Sequence, residues 1–282
     1  MQRYEDLKNN LFPASHAAID DWFGFPWHRD RSNEIDTHKK HSSQAMAIDI
    51  FGTIKCSVDR DLVLDAIAET AGLPPGGPWR VELEWIDAEK LLGEPRPTQV
   101  DAIAIGSNTV LLIECKFTEP SGTCSQTKQK NGERQCNGNY SEQVNPLNGL
   151  KSRCALTAKG IRYWKYVPAI MELDADIDHS PCPFAKDAYQ WMRNAVLAHV
   201  VGERMGLQSV VVAAFADGPN FTMAKKIRAG ALDAMKRGAK RSVVPLSYQR
   251  IIQLACDASP SSDLWPALKI WIDDKVLAAF SG

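Results

Sequence analysis

Three observations in the sequence predict a mixed α/β domain. A helix-spaced segment ends in a Gly/Pro cluster at 72–78, three strand-like segments follow between Val81 and Phe117, and a second helix-spaced segment leads into an apolar run of strand length. In order, Asp59 or Asp61 can cap a helix through Leu62, Val63, Ala66 and Ile67 to Thr70, which Gly72, Pro74, Pro75, Gly76, Gly77 and Pro78 stop. Val81, Leu83 and Trp85 alternate with Glu82 and Glu84, a half-buried strand. Strands over Thr98–Ile105 and Thr109–Phe117 flank Gly106, Ser107 and Asn108, a turn sequence. Phe184–Glu203 carries apolar positions at Ala188, Trp191, Met192, Ala195, Val196, His199 and Val200, a helical period that Gly206 ends. Ser209–Ala216 is apolar throughout, as a strand covered on both faces requires.

Outside this pattern, residues 1–58 hold Trp22, Trp27, His28, His38 and His41 ahead of an apolar run, with no motif that assigns a role. They are expected to pack as an extension on a core at 59–217. That core carries a basic, Cys-rich insert at about 120–182 and is followed by a basic, helical extension at 218–282. The insert is too long and polar to be an ordinary connection.

With 44% hydrophobic and 24% charged residues, the 282-residue chain is neither disordered nor collagen-like. No apolar run approaches the roughly 20 residues of a membrane span, and no basic-then-apolar leader opens the chain, so a cytoplasmic protein is expected. The net charge of -1 argues, as an average, against a polyanionic partner, but the average conceals segregation. Residues 116–165 hold nine basic against three acidic side chains, and 225–250 hold eight against one. Such a distribution suits an acidic body with a basic face.

The chemistry concentrates in TQVDAIAIGSNTVLLIECKFTE, 98–119. If Ser107 and Asn108 form a two-residue turn, Gly106 pairs with Thr109 and Asp101 stands opposite Glu114, with Cβ atoms about 4.5–5.5 Å apart. Alternation puts Lys116 on the Glu114 face and turns Cys115 away with Ile113 and Leu111. Two carboxylates side by side in an apolar hairpin repel, and a divalent cation offsets this; Mg²⁺ takes such hard oxygen ligands. Asp101, Glu114 and the Cys115 carbonyl are the expected ligands. Lys116 could orient or deprotonate an attacking water and offset charge on a phosphate oxygen. An ion-paired network at a strand edge is the alternative, disfavoured because unpaired charge among AIAI and VLLI is costly.

Asp101, twelve intervening residues and Glu114-Cys115-Lys116 resemble the D…(D/E)xK core of the PD-(D/E)XK nuclease superfamily. The predicted order of elements is similar to the αβββαβ core of its restriction-endonuclease-like fold. The resemblance implies a mixed sheet flanked by helices, metal-binding acids at Asp101 and Glu114, and a catalytic lysine at Lys116. The family's usual proline directly before the Asp is missing, since Pro97 stands three residues too early. Many members add an acid from the first helix, where Glu69 is the candidate; Glu84, on the strand before Asp101, competes for that role. The wider stretch, IECKFTE with a Cys-rich insert and then RYW, is similar to restriction endonucleases of bacterial genomes. About half of the chain is covered, with the first 58 and last 60 residues outside.

Within the insert, Tyr140 and Gln143 could contact a nucleotide by stacking and base-edge pairing, or could pack the following segment. Gln190, Arg193 and Asn194 share a polar stripe from which Arg193 could reach phosphate. Tyr163, Trp164 and Tyr166, interleaved with Arg162 and Lys165, fit either a nucleic-acid surface or a core with basic side chains reaching outward. Cys124, Cys136, Cys154 and Cys182 could hold structural Zn²⁺ or an iron–sulfur cluster. Their spacings of 11, 17 and 27 residues lack the short C-x₂₋₄-C pair of a convincing metal site, which favours independent thiols.

The expected function is therefore a Mg²⁺- or Mn²⁺-dependent DNA endonuclease of restriction type. The alternatives are a structure-specific or repair nuclease and a non-catalytic nucleic-acid-binding module. Cutting both strands with one site per chain would make a homodimer economical.

Overall fold

The turn at Ser107 and Asn108 sets the centre of the fold. In the computed structural model, which describes residues 2–124, 126, 129–130, 133–134, 136, 154–171, 182, 184–218, 221–230 and 242–280, this turn joins β2 (Gln99–Ile105) to β3 (Thr109–Lys116). The register is the predicted one: Ala102 pairs with Ile113, Ala104 with Leu111 and Ile105 with Val110. Gly106 N donates to Thr109 O at 2.9 Å. Gly106 also abuts the loop before β1 (Arg80–Ile86): a Cβ there would lie 2.2 Å from the Gly76 carbonyl oxygen. Gly106→Ala is accordingly expected to cost about 1–3 kcal/mol, read by urea denaturation, because backbone rather than a flexible side chain must move.

Five strands form one mixed sheet in the order β1-β2-β3-β6-β7, with β6 at Gln208–Phe215 and β7 at Val243–Ser247. The first two pairings are antiparallel, and β3–β6 and β6–β7 are parallel. All eight residues of β3 are buried, as a central strand covered on both faces requires. A small separate ladder pairs β4 (Gln129–Lys130) with β5 (Glu133–Arg134). The α/β architecture, a mixed sheet flanked by helices, is compatible with a restriction-endonuclease-like core.

Alternation along β3 distributes its side chains between two apolar layers. Leu111, Ile113 and Cys115 belong to a layer with α4 (Arg60–Thr70), α9 (Tyr248–Ala258) and α10 (Leu264–Phe280). Phe12, Met46, Ile50, Phe51 and Ile54 join the same layer from the N-terminal segment. There, α1 (Gln2–Asn9) precedes a continuous helical run through α2 (Ser43–Ala47), a wide turn at Ile48–Gly52 and α3 (Thr53–Cys56). Val110 and Leu112 face the opposite layer, which contains Trp191, Met192 and Ala195 of α7 (Tyr189–Met205). That layer also takes Tyr163 and Val167 of α6 (Tyr163–Ile170) and Ile227 of α8 (Phe221–Gly230). The remaining helix, α5, is the single turn Ala155–Ala158.

Several expectations change. Neither Asp59 nor Asp61 caps α4: Asp59 Oδ2 accepts from Trp265 Nε1 at 3.3 Å and Asp61 Oδ1 from Trp79 N at 3.0 Å. Tertiary donors outcompete the local cap. Lys186–Ala188 is a 3₁₀ turn, so α7 proper begins at Tyr189; Gly206 at φ 68° closes it, with Leu207 N donating to Gly202 O at 2.9 Å. The C-terminal segment, expected to be basic and helical, supplies β7 as well. Its Pro245 is tolerated because β7 is an edge strand.

The alternation expected of β1 also breaks. Leu83 pairs with Ala102 and Trp85 with Val100, but Glu84 between them sits at φ 51°, in the left-handed region. Val81 and Leu83 pack on the first layer and Trp85 on the second, so the strand changes sides at Glu84. A non-glycine residue in this conformation costs roughly 1–2 kcal/mol, a strain often stored at functional positions.

Candidate active site

Where the strands' ends leave the sheet, β1, β2, β3 and α7 enclose a cleft of about 290 Å³. Glu84, Asp101, Glu114, Lys116 and Gln190 line it, with His28 from the N-terminal segment at its edge. Three acids and a lysine, all buried, thus share one cleft. The hairpin ladder stops at Ala102–Ile113, freeing the Asp101 carboxylate to accept from Cys115 N at 2.6 Å. Lys116 Nζ donates to Glu114 Oε1 at 2.8 Å, and Lys116 O accepts from Tyr248 Oη at 2.9 Å.

Glu114 is held from above by α7. Gln190 Nε2 donates to its Oε1 and Asn194 Nδ2 to its Oε2, the latter at 2.9 Å. Gln190 is fixed in turn by Gly122 N, which donates to its Oε1 at 2.8 Å. Arg193 Nε and Nη2 both donate to Asn194 Oδ1 at 3.2 Å. The polar stripe on the helix therefore clamps one carboxylate. Charge-assisted hydrogen bonds of this kind are strong, and three of them restrict the motion of Glu114.

Glu84 has the opposite character. Its Oε2 accepts from Gln99 Nε2 and lies 3.7 Å from His28 Nε2, while its buried Oε1 has no hydrogen-bond partner among the described residues. An unsatisfied buried carboxylate oxygen is costly. Ligand atoms of His28, Glu84 and Asp101 all lie within 4.8 Å of one another, a set of one nitrogen and two carboxylates that a divalent ion could join. The orphaned oxygen and the donor set both fit such an ion. His28 is delivered by buried Gln44 of α2, whose Oε1 accepts from His28 N at 2.8 Å and whose Nε2 donates to Pro26 O at 3.1 Å.

The charges perturb one another. Burial, then the carboxylates of Glu114 and Glu84, push the Asp101 carboxyl well above its usual range. Burial by itself would lower the pKa of Lys116, but Glu114, Asp101 and Glu119 outweigh it and raise the ammonium above the ordinary lysine range. His28 behaves likewise: burial opposes its charge, yet Glu84, Asp101 and Asp36 raise it to about 8.

The structure thus brings Asp101, Glu114 and Lys116 to one cleft and adds Glu84. Glu69 does not line this cleft; it is exposed on the last turn of α4. Cys115 contributes its backbone N to Asp101 and turns its side chain into the first layer. Tyr140 and Gln143 lie outside the described residues. Tyr163 is buried in the second layer and Trp164 and Tyr166 pack against it, so these aromatics serve the core. Arg193 lines an adjoining groove with Arg96, Lys159 and Tyr189, which meets the cleft at Gln99. His28 carried no signal in the sequence, because only tertiary packing through Gln44 gives it a place.

Among the described residues, no helix is long and apolar enough to cross a membrane. No curated protein and no solved structure gives a significant match to the chain. The family Restriction Endonuclease associating with ARP matches residues 13–269, a span that takes in the His28 loop, every strand of the central sheet and α7, well beyond the half expected from the motif. The chain therefore belongs to that restriction-endonuclease-like family.

Proposed function

We propose that the protein is a divalent-metal-dependent deoxyribonuclease that hydrolyses DNA phosphodiester bonds as a restriction-type endonuclease. The observation that carries this reading is the buried Glu84 Oε1, without a hydrogen-bond partner among the described residues, set beside Asp101 and His28 in a cleft that also holds an ion-paired lysine. Asp101 and Glu84 would hold Mg²⁺ or Mn²⁺, with His28 at the edge and Glu114 and the Cys115 carbonyl as further oxygen donors. Bound there, the ion supplies positive charge against a phosphate oxygen.

The remaining work belongs to the chain's own side chains. Lys116, an ammonium held by Glu114, has protons to donate and no lone pair, so it orients a water and offsets charge on the phosphate rather than abstracting a proton. Gln190 and Asn194 keep Glu114, and through it Lys116, in place. Arg96, Lys159 and Arg193 in the adjoining groove supply the positive charge that follows a phosphate backbone. Cleavage of both strands by one site per chain calls for a homodimer, measurable by light scattering with duplex bound.

The test is cleavage of plasmid and of mixed methylated and unmethylated genomic DNA, with the ends sequenced. EDTA is expected to abolish cutting and added Mg²⁺ or Mn²⁺ to restore it. Glu84→Gln is expected to weaken Mn²⁺ binding by tenfold or more in calorimetry, on the order of 1.4 kcal/mol. A protein that shifts DNA in a gel but cuts no duplex, branched or single-stranded substrate with either ion would overturn the reading.

A further inference from the structure

Cys124, Cys136, Cys154 and Cys182 are separated by 11, 17 and 27 residues, and their spacing suggested independent thiols. The structure instead gathers all four around one small apolar cavity, closed on its other sides by Tyr163, Trp164 and Phe184. No disulfide joins any of them. Cys136 and Cys154 are buried, and Cys124 and Cys182 are half-buried. The fold draws on four separate stretches of chain to place four thiols around one cavity, whose wall is otherwise aromatic and aliphatic apart from Gln126.

We propose that these four cysteines are the ligands of one thiolate-bound metal centre, separate from the acidic cleft. Thiolates select soft metals, and a Cys₄ set is taken by zinc or by an iron–sulfur cluster. The spacing distinguishes the two. A single tetrahedral zinc with Zn–S near 2.3 Å brings its sulfurs to about 3.8 Å of one another. Among the described residues these sulfurs form no triad as close as His28, Glu84 and Asp101, whose ligand atoms lie within 4.8 Å of one another. A cluster, which sets its own sulfides and irons between the thiolates, spans more widely separated sulfurs than a single ion does.

The centre has a mechanical consequence for the cleft. Cys124 lies two residues beyond Gly122, whose N–H holds Gln190, and Gln190 holds Glu114. Tyr163, in the cavity wall, donates to Glu94, which also accepts from Thr98 at the start of the hairpin. A metal that closes four distant points of the chain fixes both connections at once, as structural metal sites do.

The full-length chain, purified without oxygen, decides the matter by metal and acid-labile sulfide analysis. The expected result is iron with sulfide at one centre per chain, and visible absorption that dithionite bleaches. Cys154→Ser should lose the centre, whereas Cys56→Ser, outside the cavity, should retain it. Zinc at one ion per chain, lost in the same variant, would also support a four-thiolate centre and replace the cluster by a single ion. If Cys154→Ser does not fold, peptide mapping of alkylated wild type replaces it: the four thiols should be protected until chelation and reactive after it. Neither metal in the purified chain, nor after anaerobic reconstitution with iron and sulfide or with zinc, would overturn the proposal, as would equal alkylation before and after chelation.

Discussion

Replacing Lys116 by methionine is expected to lower plasmid cleavage by at least about 10³-fold, the order associated with loss of a group that stabilises transition-state charge. Methionine keeps the apolar stem in the cleft and removes only the ammonium. Glu114 keeps its bonds from Gln190 and Asn194, so its position should survive. Far-UV circular dichroism should match that of the wild type, and duplex affinity in Ca²⁺ should fall by less than tenfold, separating chemistry from binding. Asp101→Asn provides the contrasting case. It should abolish cleavage and at the same time raise the unfolding temperature without metal, because it removes one of three crowded carboxylates while its side-chain oxygen can still accept from Cys115 N. Cleavage by Lys116→Met within tenfold of wild type would remove Lys116 from the chemistry.

The largest effect on stability is expected at Asp49, which does not line the cleft. Its Oδ1 accepts from Phe12 N at 2.6 Å, and its Oδ2 from Trp271 Nε1 at 2.9 Å and Lys275 Nζ at 2.5 Å. Both charges are buried, and the ammonium also lies 5.6 Å from the Trp271 ring centroid. Removing one member of such a pair strands the other, at a cost of about 3–5 kcal/mol. Asp49→Ala and Lys275→Met should each show that loss in urea denaturation, and the double variant should lose less than the sum of the two. A Lys275→Met protein within about 0.5 kcal/mol of wild type would mean that the charge is solvated after all.

The hairpin was legible because its information is local. A two-residue turn fixes the register, the register fixes faces, and the faces bring Asp101, Glu114 and Lys116 together. The long period of α7 and the apolar run of β6 were legible for the same reason. What remained hidden depends on contacts between distant segments. His28 owes its place to Gln44, and the aromatic wall around four cysteines comes from α6 and the loop before α7. The choice between Glu69 and Glu84 turned on a left-handed residue inside a strand, which alternation cannot anticipate. β7 escaped because five residues with a proline carry little strand signal.

The crease at Glu84 couples two properties that most proteins can vary separately. The same backbone angle that carries β1 from one layer to the other places the carboxylate whose Oε1 has no hydrogen-bond partner among the described residues. A glycine there would relax the chain and forfeit the oxygen; any residue that keeps the oxygen keeps the strain. Selection for a sturdier scaffold and selection for a working cleft therefore pull on one codon in opposite directions.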